Sequence, residues 1–145
     1  MLKHLALAAL VTVPTMGHAQ DRNFVRERVT LPVNTIDANS FEVIEDDGAA
    51  GTQIWCAAGL YTRKALGQRG GDLYIEVARG PAQTAPGRKG VVFTTEPVAG
   101  AFNSVSQGVK RAGQTFSMSH AYALCRSNRA QSVRVRTEDG RLLRR

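Results

Sequence analysis

Residues 51–67 read GTQIWCAAGLYTRKALG, and the apolar residues of this stretch recur at helical spacing. Ile54, Ala58 and Tyr61 lie on one face of the predicted helix, which also holds the only tryptophan of the chain. We expect this helix to organise the fold because no other stretch shows so clear an apolar stripe.

The two ends of the predicted helix carry ordinary termination signals. Thr52 is expected to cap its start, and Gly67 is expected to adopt the left-handed conformation that ends many helices. Gly59 argues against the helix, since an interior glycine costs about 1 kcal/mol relative to alanine. Cys56 falls beside Leu60 on the flank of the stripe, where a neighbouring helix rather than a sheet would meet it.

The start of the chain has the pattern of a secretory signal peptide. Residues 5–13 form an unbroken, mostly apolar run, and Pro14 ends it. Gly17 and Ala19 are the small residues that a signal peptidase reads. The run is about half the roughly 20 residues that span a bilayer. We therefore predict a cleaved signal peptide at 1–19, no transmembrane segment, and a periplasmic or secreted protein.

The cysteine content agrees with export. The chain has two cysteines, Cys56 and Cys125, and no CxxC motif. In an oxidising compartment, two cysteines without a third partner are expected to form one disulfide. Closing that loop stabilises the fold by roughly 4 kcal/mol in the chain-entropy model. A redox or nucleophilic cysteine is the alternative, but the motif for it is missing.

Shorter patterns predict the remaining elements. Residues 115–126, TFSMSHAYALCR, alternate at period two as in a strand, yet they also fit a helix that Ser117 caps. Their alanine content and the cap favour the helix. Strands are predicted at 41–45, 73–78, 91–95, around 105–110 and 131–137, with 141–145 pairing back on the last of them.

This element order predicts a small α+β domain at 41–145. Strand, helix, strand, strand, helix, strand is the order of the ferredoxin-like split βαβ arrangement, in which two helices cover one face of an antiparallel sheet. The disulfide would then join the two helices. Residues 20–40 are expected to form an arm over the domain, with a short strand at 29–31 that Pro32 stops.

Positive charge is concentrated at the carboxyl end. The net charge is +7, and the last twenty residues hold seven arginines against Glu138 and Asp139. Arg22, Arg26 and Arg28 add charge near the predicted mature amino terminus. The candidate binding face consists of Arg134, Arg136, Arg141, Arg144 and Arg145.

These carboxyl-terminal arginines have two interpretations. Guanidinium groups bind phosphate and carboxylate in a forked geometry, which predicts an acidic protein or an envelope polyanion as partner. Charges on an exposed edge strand that prevent sheet-to-sheet aggregation explain them equally well. The tail lacks stacking aromatics, which argues against sequence-specific nucleic-acid binding.

Catalytic motifs are missing from the sequence. His120 is the single histidine after residue 19, so we expect no metal site and no cofactor. Ser117 lies three residues before His120 and could face it on a helix. Asp72 and Glu76 share one face of a predicted strand, and Glu42 and Glu45 are further candidate carboxylates.

Two hypotheses of different classes follow. The favoured one is an exported, non-catalytic module that binds a protein partner or an anionic envelope component through its basic carboxyl-terminal face. The alternative is a small periplasmic hydrolase that uses His120 with Ser117 or a carboxylate. The second hypothesis requires one concave pocket that brings those groups together.

Overall fold

A computed structural model of the chain describes residues 28–46 and 48–145. The predicted signal peptide and the first part of the predicted arm, residues 1–27, lie outside the described residues, as does Asp47.

The described residues form two helices and eight strands, and all the strands belong to one sheet. The helices are α1 (Gly51–Lys64) and α2 (Met118–Leu124). The strands are β1 (Thr30–Thr35), β2 (Ser40–Ile44), β3 (Asp72–Pro81), β4 (Lys89–Thr94), β5 (Phe102–Asn103), β6 (Gln114–Ser117), β7 (Arg134–Thr137) and β8 (Leu142–Leu143). Across the sheet they follow the order β5-β6-β3-β4-β2-β1-β7-β8.

The sheet is mixed, which corrects the fold expected from the sequence. β1 pairs with β7 in parallel, with Thr30 opposite Arg134, and β5 pairs with β6 in parallel. Two strands precede α1, four separate the helices and two follow α2. The α+β class is confirmed, and β3 and β4 form an antiparallel pair. The purely antiparallel sheet and the ferredoxin-like order are not found.

Strand β1 lies in the segment that was expected to be an arm. It is flanked by β2 on one side and β7 on the other, so it is an inner strand. It also runs through Pro32, where the sequence predicted that a strand would stop. The ladder with β2 begins only at Val33, so Pro32 is paired on one side, opposite Arg136. A missing N–H is tolerated at such a position.

The predicted helix forms, with one correction at its start. Ala50 is the N-cap, and its N–H donates to Gln53 Oε1 at 2.8 Å. Thr52, which the sequence predicted as the cap, instead donates its hydroxyl to the side chain of Gln107. Gly67 has a φ of 71°, the left-handed conformation expected after the helix.

Helix α1 packs on one face of the sheet through an aromatic cluster. The Trp55 ring centroid lies 4.9 Å from that of Phe93 and 4.5 Å from that of Phe116. At the other end of the cluster, the Phe41 and Tyr61 centroids are 4.6 Å apart. Every residue from 54 to 62 is buried, so this helix forms the centre of the core.

Helix α2 contacts α1 within the same core, and Gly59 permits the contact. A Cβ atom on Gly59 would lie 2.4 Å from the backbone nitrogen of Tyr122 and 2.6 Å from the carbonyl carbon of Ala121. The glycine that weakens the helix locally is therefore required by the neighbouring helix. Nearby, Cys56 and Cys125 form the predicted disulfide, with a Cα–Cα distance of 4.9 Å.

The segment 115–126 combines both sequence interpretations. It begins within β6 and continues as α2, and the change occurs at Ser117. The Ser117 hydroxyl accepts the backbone N–H of His120 at 3.1 Å, which is the predicted cap. The strand expected around 105–110 is not found, and β5 lies just before it.

The other face of the sheet carries a buried carboxylate. Glu42 is 1% exposed and accepts hydrogen bonds from the backbone N–H groups of Gln83 and Thr84 at 2.8 and 2.7 Å, and from the Thr84 hydroxyl at 2.6 Å. These bonds hold the 82–88 loop over the sheet and satisfy a group that is costly to bury unpaired. A Cβ atom on Gly90 would lie 2.7 Å from Glu42 Oε1.

A Gly59→Ala substitution tests the contact between the helices. Alanine would ordinarily stabilise a helix interior by about 1 kcal/mol. Here we expect it to destabilise the protein by about 1–3 kcal/mol, because its methyl group would clash with the backbone of α2. Urea unfolding measures the change. Gly70→Ala is the matched control, since a Cβ atom there meets nothing within 4 Å. Equal stability of the two variants would contradict the close contact.

Removal of the disulfide tests its contribution to stability. Replacement of Cys56 and Cys125 by alanine is expected to lower the free energy of unfolding by about 4 kcal/mol in the chain-entropy model. Both side chains are buried, at 0% and 3% exposure, so the alanines also remove packed sulfur atoms from the core and add to the loss of stability. Reductant should destabilise the unmodified protein and leave the double variant unchanged. If reductant does not change the unfolding midpoint of the unmodified protein, the disulfide does not stabilise the fold.

Candidate anion-binding cleft

The topology of the sheet brings distant arginines to one end. β1 and β7 are parallel, so the residues that precede both strands lie at the same end of the sheet. β8 is antiparallel to β7, so the residues that follow β8 reach that end as well. Arg28 precedes β1, Arg134 begins β7, and Arg144 and Arg145 follow β8.

These arginines surround a cleft of about 340 Å³, which we call the arginine cleft. Its lining residues are Arg28, Gln131, Ser132, Val133, Arg134, Arg144 and Arg145. No aspartate or glutamate lines it within the described part of the chain. Four arginines that line one concavity make the local field there positive.

The arginine cleft contains part of the predicted binding face. Arg134, Arg144 and Arg145 line it. Arg136 is exposed two residues further along β7 and does not line the cleft. Arg141 pairs with Asp139, with Nε 2.7 Å from the carboxylate oxygen. The predicted face is thus divided between a cleft, a neighbouring exposed charge and an ion pair.

Sequence reasoning missed Arg28 as a member of the cleft. The sequence did point to positive charge near the predicted mature amino terminus, but nothing local placed that charge beside the carboxyl end. Only the parallel pairing of β1 with β7 does so.

Several described arginines outside the cleft contact a carboxylate or an aromatic ring. Arg79 forms an ion pair with Glu45, and Arg88 forms one with Asp46 at 3.2 Å. Arg63 lies over the Tyr122 ring and Arg111 over the Phe102 ring, each 4.3 Å from the ring centroid. No cleft arginine forms an ion pair with a carboxylate of the described residues. Among the described residues, then, no carboxylate neutralises the charge of the cleft.

A second cleft, of about 510 Å³, holds both His120 and Ser117. The Ser117 hydroxyl accepts the His120 backbone N–H as a helix cap, and the exposed imidazole lies edge-on to Phe116 at 4.7 Å. Asp72 is opposite Ser117 in the β3–β6 ladder but does not line this cleft, and neither does Glu76. The described side chains thus do not bring serine, imidazole and carboxylate together in one relay.

Glu76 lines a third cleft, of about 380 Å³, with Asp37 and Glu96. The carboxylates of Asp37 and Glu96 take part in local structure. Asp37 accepts the N–H groups of Asn39 and Ser40 at 2.8 Å each, and Glu96 accepts the Asn39 side-chain amide at 2.7 Å. Within residues 28–46 and 48–145, no three histidine, cysteine or acidic side chains are placed to hold a metal ion.

The remaining candidate carboxylates, Glu42 and Glu45, are also engaged. Glu42 holds the 82–88 loop, and Glu45 pairs with Arg79. Neither lines the arginine cleft or the cleft of His120.

Neither described helix has the length and apolar character needed to cross a membrane. Comparisons with protein-family models, with curated proteins and with solved structures find no match to this chain. The functional conclusion therefore depends on the chemistry of the site.

The ion pair of Arg141 gives a prediction about Asp139. Hydrogen bonds from the Thr137 hydroxyl and from Arg141 hold the pKa of the Asp139 carboxyl below its ordinary value. Because the folded-state pKa is lowered, the stability it contributes is complete above the unfolded-state pKa and is lost as pH falls through the folded-state pKa.

A Thr137→Val substitution removes the first of these hydrogen bonds. We expect the pKa of Asp139 to rise toward its ordinary value, as measured by an NMR titration of the side-chain carboxyl. Thr30→Val, at the opposite end of the ladder between β1 and β7, should leave that pKa unchanged. A pKa that does not move in the Thr137 variant would disprove the role of the hydroxyl.

Proposed function

We propose that this protein is an exported, non-catalytic module that binds an anionic ligand through its carboxyl-terminal arginines. The observation that carries the proposal is the arginine cleft, which four arginines line and which no carboxylate of the described residues lines. Guanidinium groups in such a site make charge-assisted hydrogen bonds to phosphate, sulfate or carboxylate oxygens.

The positions of the arginines favour binding over protection of a sheet edge. β8 is the edge strand, so protection explains charges at Arg144 and Arg141. It does not explain Arg134, which belongs to the next strand inward, or Arg28, which precedes an inner strand. Clustering of like charge raises the electrostatic energy of the folded state. A ligand that neutralises the cluster gives that arrangement a function.

Export is supported by two independent features. The disulfide between Cys56 and Cys125 is compatible with an oxidising compartment, where such bonds persist. The pattern of residues 1–19 is that of a cleaved signal peptide. The available anions there include lipid head groups, acidic polysaccharides and acidic proteins.

A non-catalytic role agrees with the surroundings of His120. Ser117 caps a helix with its hydroxyl, and no carboxylate lines their shared cleft within the described residues. Among the described residues, the arginine cleft has no nucleophile–base pair either, because its other lining residues there are Gln131, Ser132 and Val133. Its residues are suited to holding an anion, not to transferring a proton.

Chromatography on immobilised heparin, a polysulfated probe, tests the proposal. We expect the protein to be retained and to elute with salt, because counterions screen exposed charges. A variant with glutamine at Arg134, Arg136, Arg144 and Arg145 should elute at clearly lower salt.

The matched control removes the same charge elsewhere. It places glutamine at Lys64, Arg69, Lys89 and Lys110, which are exposed and lie outside the arginine cleft. If both variants elute at the same salt concentration, net charge alone governs retention and the proposed face has no special role. Circular dichroism confirms that both variants are folded.

A further inference from the structure

We infer that the arginine cleft binds a phosphate monoester group, an inference that rests on the anion-binding function proposed above. Three properties of the cleft lead to this ligand class: its size, its charge and the rigidity of its wall.

The size of the cleft favours a compact anionic group over a protein surface. About 340 Å³ lies near the lower end of small-ligand pockets, which hold roughly 300–1,000 Å³. A stable protein partner would need about 800 Å² of surface on each side. A concave site of this size, lined by seven of the described residues, instead fits one anionic group and the substituent nearest to it.

The charge of the cleft favours phosphate over carboxylate or sulfate. A phosphate monoester carries about −1.5 to −2 at neutral pH and has three strong acceptor oxygens. A carboxylate or a sulfate monoester carries a single negative charge. Four arginines line the cleft, and no lysine of the described residues does. Arginine presents planar, forked donors that match phosphate oxygens in pairs, whereas lysine acts as a point charge.

One wall of the cleft is held in place before any ligand arrives. Gln131 Nε2 donates to the Arg126 carbonyl at 3.2 Å and to Asn128 Oδ1 at 3.1 Å. The N–H groups of Ala130 and Gln131 donate to the Ser127 carbonyl at 3.0 and 3.1 Å. This turn follows directly after Cys125, which the disulfide ties to α1. A pre-organised site loses less ordering entropy on binding than a mobile one.

Matched probes distinguish the ligand class. Soluble probes are inorganic phosphate, glucose 6-phosphate and glucose 6-sulfate, titrated by calorimetry and by amide NMR shifts. Membrane-borne probes are phosphatidylcholine vesicles that contain either phosphatidic acid, a monoester, or phosphatidylglycerol, a diester. We expect each phosphate monoester to bind more tightly than its sulfate or diester counterpart, with NMR shifts at Arg28, Arg134 and Arg144.

Charge-matched variants locate the site. An Arg28→Gln, Arg134→Gln double variant should weaken glucose 6-phosphate binding by about tenfold or more, because it removes two charge-assisted donors. A Lys64→Gln, Arg69→Gln double variant should bind within about twofold of the unmodified protein, since neither residue lines the cleft. Amide NMR spectra show whether each variant keeps the fold.

The possible results separate this inference from the proposed function. Binding to phosphatidic acid vesicles without binding to the soluble phosphates supports the inference and identifies the ligand as a lipid head group. Binding to the soluble phosphates without binding to the vesicles also supports it and identifies the ligand as a soluble phosphate. Equal affinity for phosphate and sulfate, or equal loss in the two double variants, overturns it. Heparin retention without any phosphate binding overturns this inference and leaves the proposed function intact. A protein that is not retained on heparin and does not bind phosphate overturns both the inference and the proposed function.

Discussion

Helix α1 can occupy the centre of the core only because α2 meets it at a glycine. Ten of the 14 residues of α1 are buried, and the approach of α2 at Gly59 leaves no room for a side chain. The disulfide then joins the two helices at Cys56 and Cys125. Together these contacts set the position of α2, and with it the turn that leads into β7. Residues of this turn line the arginine cleft, so the cleft depends on the contact between α1 and α2.

Local patterns were sufficient for much of this fold. The apolar stripe around Ile54 and Tyr61 predicted α1, and the absence of other cysteines predicted the bridge. The long-range pairing of β1 with β7 has no such local signal, because a parallel pair joins segments far apart in sequence. The prediction that a strand would stop at Pro32 was also wrong, because a proline interrupts a strand only where a neighbouring strand needs its N–H.

Part of the candidate site was also predictable from local patterns, and the part that depends on strand pairing was not. Arg134 and Arg136 alternate along the chain with Val133 and Val135, which are buried. Alternation alone could not indicate which arginines would meet a carboxylate, and Arg141 does so through a turn contact with Asp139. Charge at the two ends of the chain was visible in the sequence. Its convergence in one cleft depends on strand order.

The disulfide encloses residues 57–124, which include β3 to β6 and the loops at 82–88 and 95–101. Exposed loop tips are the preferred places for proteases to cut a chain. One cut inside this span yields two fragments that remain covalently joined through sulfur. One fragment carries Arg28 and the other carries the rest of the arginine cleft. Both halves of the site therefore stay tethered until the bond is reduced.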